Sequence, residues 1–208
     1  MPPGLGGGCV ETGPFKDQVV NLGPMGLASE PVGPDGGFGW NPRCLKRDVG
    51  PALTLRYTNV TSVLSKYFSR SRCLKEHSLT SLKDLLLAKD LPTFRVTLEG
   101  IPYTVEIGSH GGGHFTINGD PGGDLFTSPG DPVFWLHHGQ VDRMWTFWQA
   151  TSPKTRQNAI VGTDTWMNSP PSANTTLDHI VDLGYAGENI RLGDTMSTTS
   201  GPFCYIYL

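Results

Sequence analysis

Between Asp131 and Gln149 the apolar residues recur at helical intervals. Phe134, His138, Val141, Trp145 and Trp148 lie three or four positions apart and form one stripe of a helix. Asp131 is a good N-cap, and Pro132 suits the first helical position, where its missing N–H costs nothing. Val133, Leu136, Met144 and Phe147 lie off that stripe, which predicts a helix buried nearly all round. Two weaker patterns precede it. Val60, Val63, Leu64 and Tyr67 predict a helix over 58–68, capped by Thr58 or Asn59. Leu82, Leu85 and Leu86 predict another over 79–89, stopped by Pro92. Residues 94–105 alternate weakly around Gly100-Ile101-Pro102 and predict a short hairpin. The final GPFCYIYL predicts a short strand tied by Cys204.

Residues 1–52 carry much Gly and Pro and little periodicity. They read as an extended arm laid over the rest, pinned by a Cys9–Cys44 bridge, with free disorder as the alternative. Phe15, Val19, Val20, Leu22, Phe38 and Trp40 are its candidate apolar anchors. The predicted elements are mainly α, and composition adds a loop-rich chain with a modest core: 37% hydrophobic and 17% charged residues, with 27 Gly and 17 Pro among 208. The formal charge is −3 with no basic stripe, which argues against nucleic acid and anionic membranes as partners. No apolar run approaches the roughly 18 residues of a membrane span. The opening MPPGLGGGCVETGPF has neither the basic nor the apolar region of a signal peptide. Two glycosylation sequons, at Asn59 and Asn174, nevertheless suit an exported protein. So do four cysteines (Cys9, Cys44, Cys73, Cys204) without a CxxC pair, which predict two disulfides. A secreted protein whose leader is not in this chain is expected.

Four of the six histidines fall between His110 and His138. His110 and His114 are separated by three glycines. On a helix, positions i and i+4 share a face, so both rings can address one ion. His138 lies on the apolar stripe of the following helix and can supply a third nitrogen. Three imidazoles suit zinc as well as copper. HGGGH also reads as a plain glycine-rich loop, because three glycines cost a helix roughly 2–3 kcal/mol relative to alanines. The same HGGG is an oxyanion-hole motif in some esterases, but the chain has no Gly-x-Ser-x-Gly elbow. His77 and His179, each alone, read as ordinary structural residues.

DPVFWLHHGQVDRMW resembles the second-copper signature of tyrosinases, catechol oxidases and hemocyanins, with His138 in the ligand register and Asp142 one turn later. SHGGGHFTINGDPGGDLFTSPGDP is similar to fungal tyrosinase-like polyphenol oxidases, in which the HxxxH supplies two ligands of that copper. GGGCVETGPF, NPRCLKRD and LGDTMSTTSGPFCYIYL also resemble segments of those proteins.

The resemblance implies copper held by His110, His114 and His138. His137 would support them, and Asp142 would orient an imidazole or pair with an arginine. Gly111, after the first ligand, cannot help a water take a phenol proton, which favours diphenol oxidation over monophenol hydroxylation. Phe115 would wall the substrate pocket or join the core. The implied reaction is copper-dependent oxidation of o-diphenols to quinones by O₂, with phenols and O₂ as partners.

The family uses two coppers, and no histidine context here matches the first. The expected fold is therefore one half of an antiparallel four-helix bundle. All of 1–208 would be the second-copper portion of the catalytic domain, with 1–52 as an arm within it. An N-terminal half or a second chain would complete it. The alternative is a single-metal or metal-free binding fragment without oxidase activity. Loss of half a bundle would also expose the stripe around Trp145 and Trp148 and promote self-association.

Overall fold

The computed structural model describes residues 7–26, 31–49, 83–100 and 108–208. Its main helices are α1 Leu91–Glu99, α2 Ser109–Ile117, α3 Val133–Thr151 and α4 Pro153–Arg156. A further helical stretch covers 83–87. The strands are two residues each: β1 Gly8–Cys9, β2 Val19–Val20, β3 Arg43–Cys44, β4 Lys46–Arg47, β5 Ile180–Val181 and β6 Ile190–Arg191. The described chain is thus helix-dominated and loop-rich. It divides into two compact units, residues 1–83 with 96–141, and residues 84–95 with 142–208. The helix expected over 58–68, together with Asn59, Cys73 and His77, lies outside the described residues.

In the first unit the arm folds back on itself. β1 pairs antiparallel with β4, setting Cys9 opposite Lys46, and β2 pairs with β3, setting Val19 opposite Cys44. The Cys9–Cys44 disulfide is formed. The apolar anchors act differently from expectation. Val20 is buried, whereas Phe38 and Trp40 are 75% and 72% exposed. Polar contacts hold the arm instead. Lys46 and Asp120 exchange backbone hydrogen bonds of 2.9 and 3.1 Å. The Arg43 guanidinium grips the Asp120 carboxylate, and that of Arg47 grips Asp131. The buried Asp124 carboxylate accepts the N–H groups of Met25, Gly26, Phe126 and Thr127 at 2.8–3.0 Å. These acids are buried because their lone pairs are met.

The start of α3 follows its sequence signature. The Asp131 carboxylate accepts the Val133 N–H at 2.9 Å, and its carbonyl accepts that of Phe134 at 2.9 Å. Burial differs from expectation. Met144, Trp148 and Gln149 are the buried residues of α3, while Trp135 and Leu136 are 64% and 71% exposed. Trp148, expected to be bared, is fully buried.

The second unit corrects two further readings. Pro92 opens a helix rather than only closing one. Asp90 accepts both the backbone N–H and the hydroxyl of Thr93, at 2.9 and 2.6 Å, and so caps α1. Residues 94–99 are accordingly helical, not the first strand of a hairpin; 101–107 lie outside the described residues. The tail is not a strand. Cys204 is an exposed free thiol, and the Tyr205 and Tyr207 hydroxyls tie the tail by donating to Asp142. The core here is Leu85, Ala88, Phe94, Met144 and Trp148. β5 and β6 form a small antiparallel ladder, closed off by Arg191 with Asp178 and Asp194.

Candidate metal centre

α2 is helical in spite of its three consecutive glycines. Its hydrogen-bond ladder runs from end to end: Gly112 donates to the Gly108 carbonyl at 2.9 Å and Asn118 to that of His114 at 2.8 Å. Close packing explains one of the glycines. A Cβ at Gly113 would lie 2.2–2.7 Å from the ring atoms of His137. The histidine of α3 occupies the space that any larger residue would need. We therefore expect Gly113→Ala to displace the His137 ring and destabilise the fold by about 1–3 kcal/mol. Denaturant unfolding checks this, and an unchanged midpoint would contradict it.

His110 and His114 lie one turn apart on α2 and meet His138 from α3. Their Nε2 atoms are separated by 3.3 Å (110–114), 3.4 Å (110–138) and 3.0 Å (114–138). The rings of Phe134 and His138 stack with centroids 3.9 Å apart, which holds the His138 plane. Burial, more than the neighbouring imidazoles, pushes His114 down to about 3 and His138 down to about 4. Both are therefore neutral near pH 7, each with one lone pair available. Nδ1 of His110 lies 2.7 Å from Oε2 of Glu99. A carboxylate oxygen accepts, so that nitrogen carries the proton, and in the neutral ring Nε2 then presents the lone pair.

Three mutually close nitrogens cannot all be satisfied by sharing protons among themselves. A cation can accept all three lone pairs. An ion about 2.0–2.1 Å from tetrahedrally arranged imidazole nitrogens separates them by about 3.3 Å, in line with the spacing found. A looser group also converges: one ligand atom each from His110, His114 and His137 falls within 4.8 Å. The tighter trio with His138 is the better donor set, because His137 Nε2 already donates to the His110 carbonyl at 2.8 Å. Burial lowers the pKa of His137 as well, so it remains a neutral ring locking α3 to α2.

Gly111 is half-buried on α2, and Phe115 is 37% exposed, so it is no core residue. Asp142, expected to orient an imidazole or pair with an arginine, receives the two tail tyrosine hydroxyls in the second unit. His179 lies 3.6 Å from Asp164, also in the second unit. Sequence reasoning missed Glu99, which it placed in a hairpin.

Residues 2–151 match the family described as the common central domain of tyrosinase. Tyrosinase P of Aspergillus terreus is 38% identical over the whole chain, and the N-acetyl-6-hydroxytryptophan oxidase of Emericella nidulans is 38% identical over 99% of it. The chain spans about half the length of these relatives, 53% and 54%. Among solved structures, a glycine-to-asparagine variant of the polyphenol oxidase from Thermothelomyces thermophila superposes with a TM-score of 0.80. It is 48% identical, and the match covers all of this chain and 53% of that one. Helices that bring histidines to one point and a family match over most of the chain agree. The chain belongs to the tyrosinase family, a copper-binding family of oxidoreductases.

Proposed function

We propose that His110, His114 and His138 hold a copper ion and that the chain is the second-copper portion of a polyphenol oxidase acting on o-diphenols. The observation that carries this reading is the meeting of three Nε2 atoms, from two helices, within 3.4 Å of one another. Neutral imidazoles suit several transition ions, and family membership favours copper among them. When bound, copper supplies one-electron redox chemistry toward O₂ and a catechol. The chain's own part is to hold and orient. Phe134 fixes the His138 ring, His137 bonds the His110 carbonyl, and Phe115 walls the approach beside His114. Gly111 has no side chain with which to orient a proton-accepting water, which favours diphenols over monophenols as substrates.

A complementary portion supplies the first copper's ligands. The half-length match to the relatives supports this, and the exposed Trp135 and Leu136 of α3 and Phe115 of α2 are the surface it covers. The Cys9–Cys44 bridge and the exposed Asn174 sequon favour an oxidising, extracellular setting.

Metal analysis of the purified chain tests the proposal. We expect one copper per chain, its loss in His138→Ala (weaker binding by more than the about 100-fold that loss of an outer-shell partner can cost), and no catechol turnover by the chain alone. Copper content unaffected by His138→Ala would overturn the ligand assignment. Turnover by the isolated one-copper chain would show that it needs no complement and would overturn that part.

A further inference from the structure

Glu99 ends α1 and meets His110 at the ring nitrogen not shared with the other two imidazoles. The 2.7 Å contact is the only one of its kind among the described members of the trio, a carboxylate on a ring N–H. The backbone holds it in place. The Gly108 N–H, at the start of α2, donates to the Glu99 carbonyl at 3.0 Å. A Cβ at Gly108 would lie 2.0 Å from the Leu98 carbonyl oxygen, so this approach of the two chain segments requires glycine. The Glu99 side chain therefore reaches His110 from a fixed base.

We propose that Glu99 is a positioning residue of the copper centre. It fixes the His110 tautomer with Nδ1 protonated, sets the ring plane, and strengthens Nε2 as a donor. The inference rests on the copper reading of the histidine trio. Glu99 acts through His110 and touches neither ion nor substrate. Carboxylates that bond the outer nitrogen of a ligand histidine typically change metal affinity by about 10–100-fold. The Glu99 side chain is 44% exposed, so truncating it opens no buried cavity.

The test is a copper(II) titration of the full chain against a competing chelator, with pulsed EPR of the remote imidazole nitrogen. It compares the unaltered chain with Glu99→Ala, Glu99→Gln and His110→Ala. Expected are an affinity about 10–100-fold weaker in E99A, recovery of most of it in E99Q, whose amide oxygen accepts the same N–H, and a changed remote-nitrogen signal in E99A alone of these two. Loss of copper in H110A with unchanged affinity in E99A would overturn this inference and leave the copper reading standing. An E99Q as weak as E99A would also overturn it. Unchanged copper binding in H110A would overturn the copper reading, and the inference with it.

Discussion

Trp148→Ala is expected to cost about 3–5 kcal/mol of stability. The indole is fully buried and every part of it is engaged. Its Nε1–H donates to the Ala88 carbonyl at 2.8 Å. The Phe94 and Trp145 rings lie 5.0 and 5.2 Å away, and the Arg156 guanidinium carbon sits 4.6 Å above its centroid. Truncation removes the apolar burial, leaves a cavity among residues that cannot all collapse into it, and releases Arg156. Domains of this kind are stable by only about 5–15 kcal/mol, so the loss is a large fraction of the whole. Trp148→Phe should cost roughly 1–2 kcal/mol, since the Ala88 carbonyl keeps its bond from Arg156 at 2.9 Å. Denaturant unfolding followed by circular dichroism separates the two variants. Equal midpoints would refute the argument that burial, rather than the Nε1–H bond, dominates.

The helix that carries His138 and the histidine pair of α2 are legible because their signals are local. Asp131-Pro132 announces a helix start by capping chemistry, and the four-residue step from His110 to His114 follows from helix geometry. The signal for α1 is also local: Asp90-Leu91-Pro92-Thr93 has a capping acid before a first-turn proline, but the same proline reads equally as a stop for the helix before it. What could not be read is nonlocal. Arg43 meets Asp120 across 77 positions and Arg47 meets Asp131 across 84, and no periodicity announces either pair. The need for glycine at position 113 depends on a ring from another helix. The same holds for the tail, where the one cysteine drew attention and two tyrosine hydroxyls hold the segment. Apolar periodicity also overstated burial on α3, because periodicity shows where a stripe lies and not whether a neighbour covers it.

The arm's pair with the metal-centre helix yields the other large effect. Arg47→Ala is expected to destabilise the first unit by about 3–5 kcal/mol. Arg47 binds Asp131 through two parallel bonds, Nε to Oδ2 at 2.9 Å and a terminal nitrogen to Oδ1 at 2.7 Å, and the Asp131 side chain is 0% exposed. Removing the arginine strands a carboxylate away from water, and that desolvation is the larger part of the cost. Lysine should rescue little, because it offers a point charge rather than a two-pronged fork. Combining Arg47→Ala with Asp131→Asn should recover much of the loss, since the amide oxygen still accepts the Val133 N–H while the buried charge is gone. The consequence reaches the metal centre by a short path. Asp131 caps the helix that carries Phe134, His137 and His138, so fraying there moves the His138 ring of the proposed copper site, the ring stacked on it and the ring that locks α2. Copper affinity should therefore fall with stability in Arg47→Ala and return in the double variant. A variant that unfolds at the unaltered midpoint, or one that loses stability while binding copper as tightly as before, would contradict this coupling of arm to ligand helix.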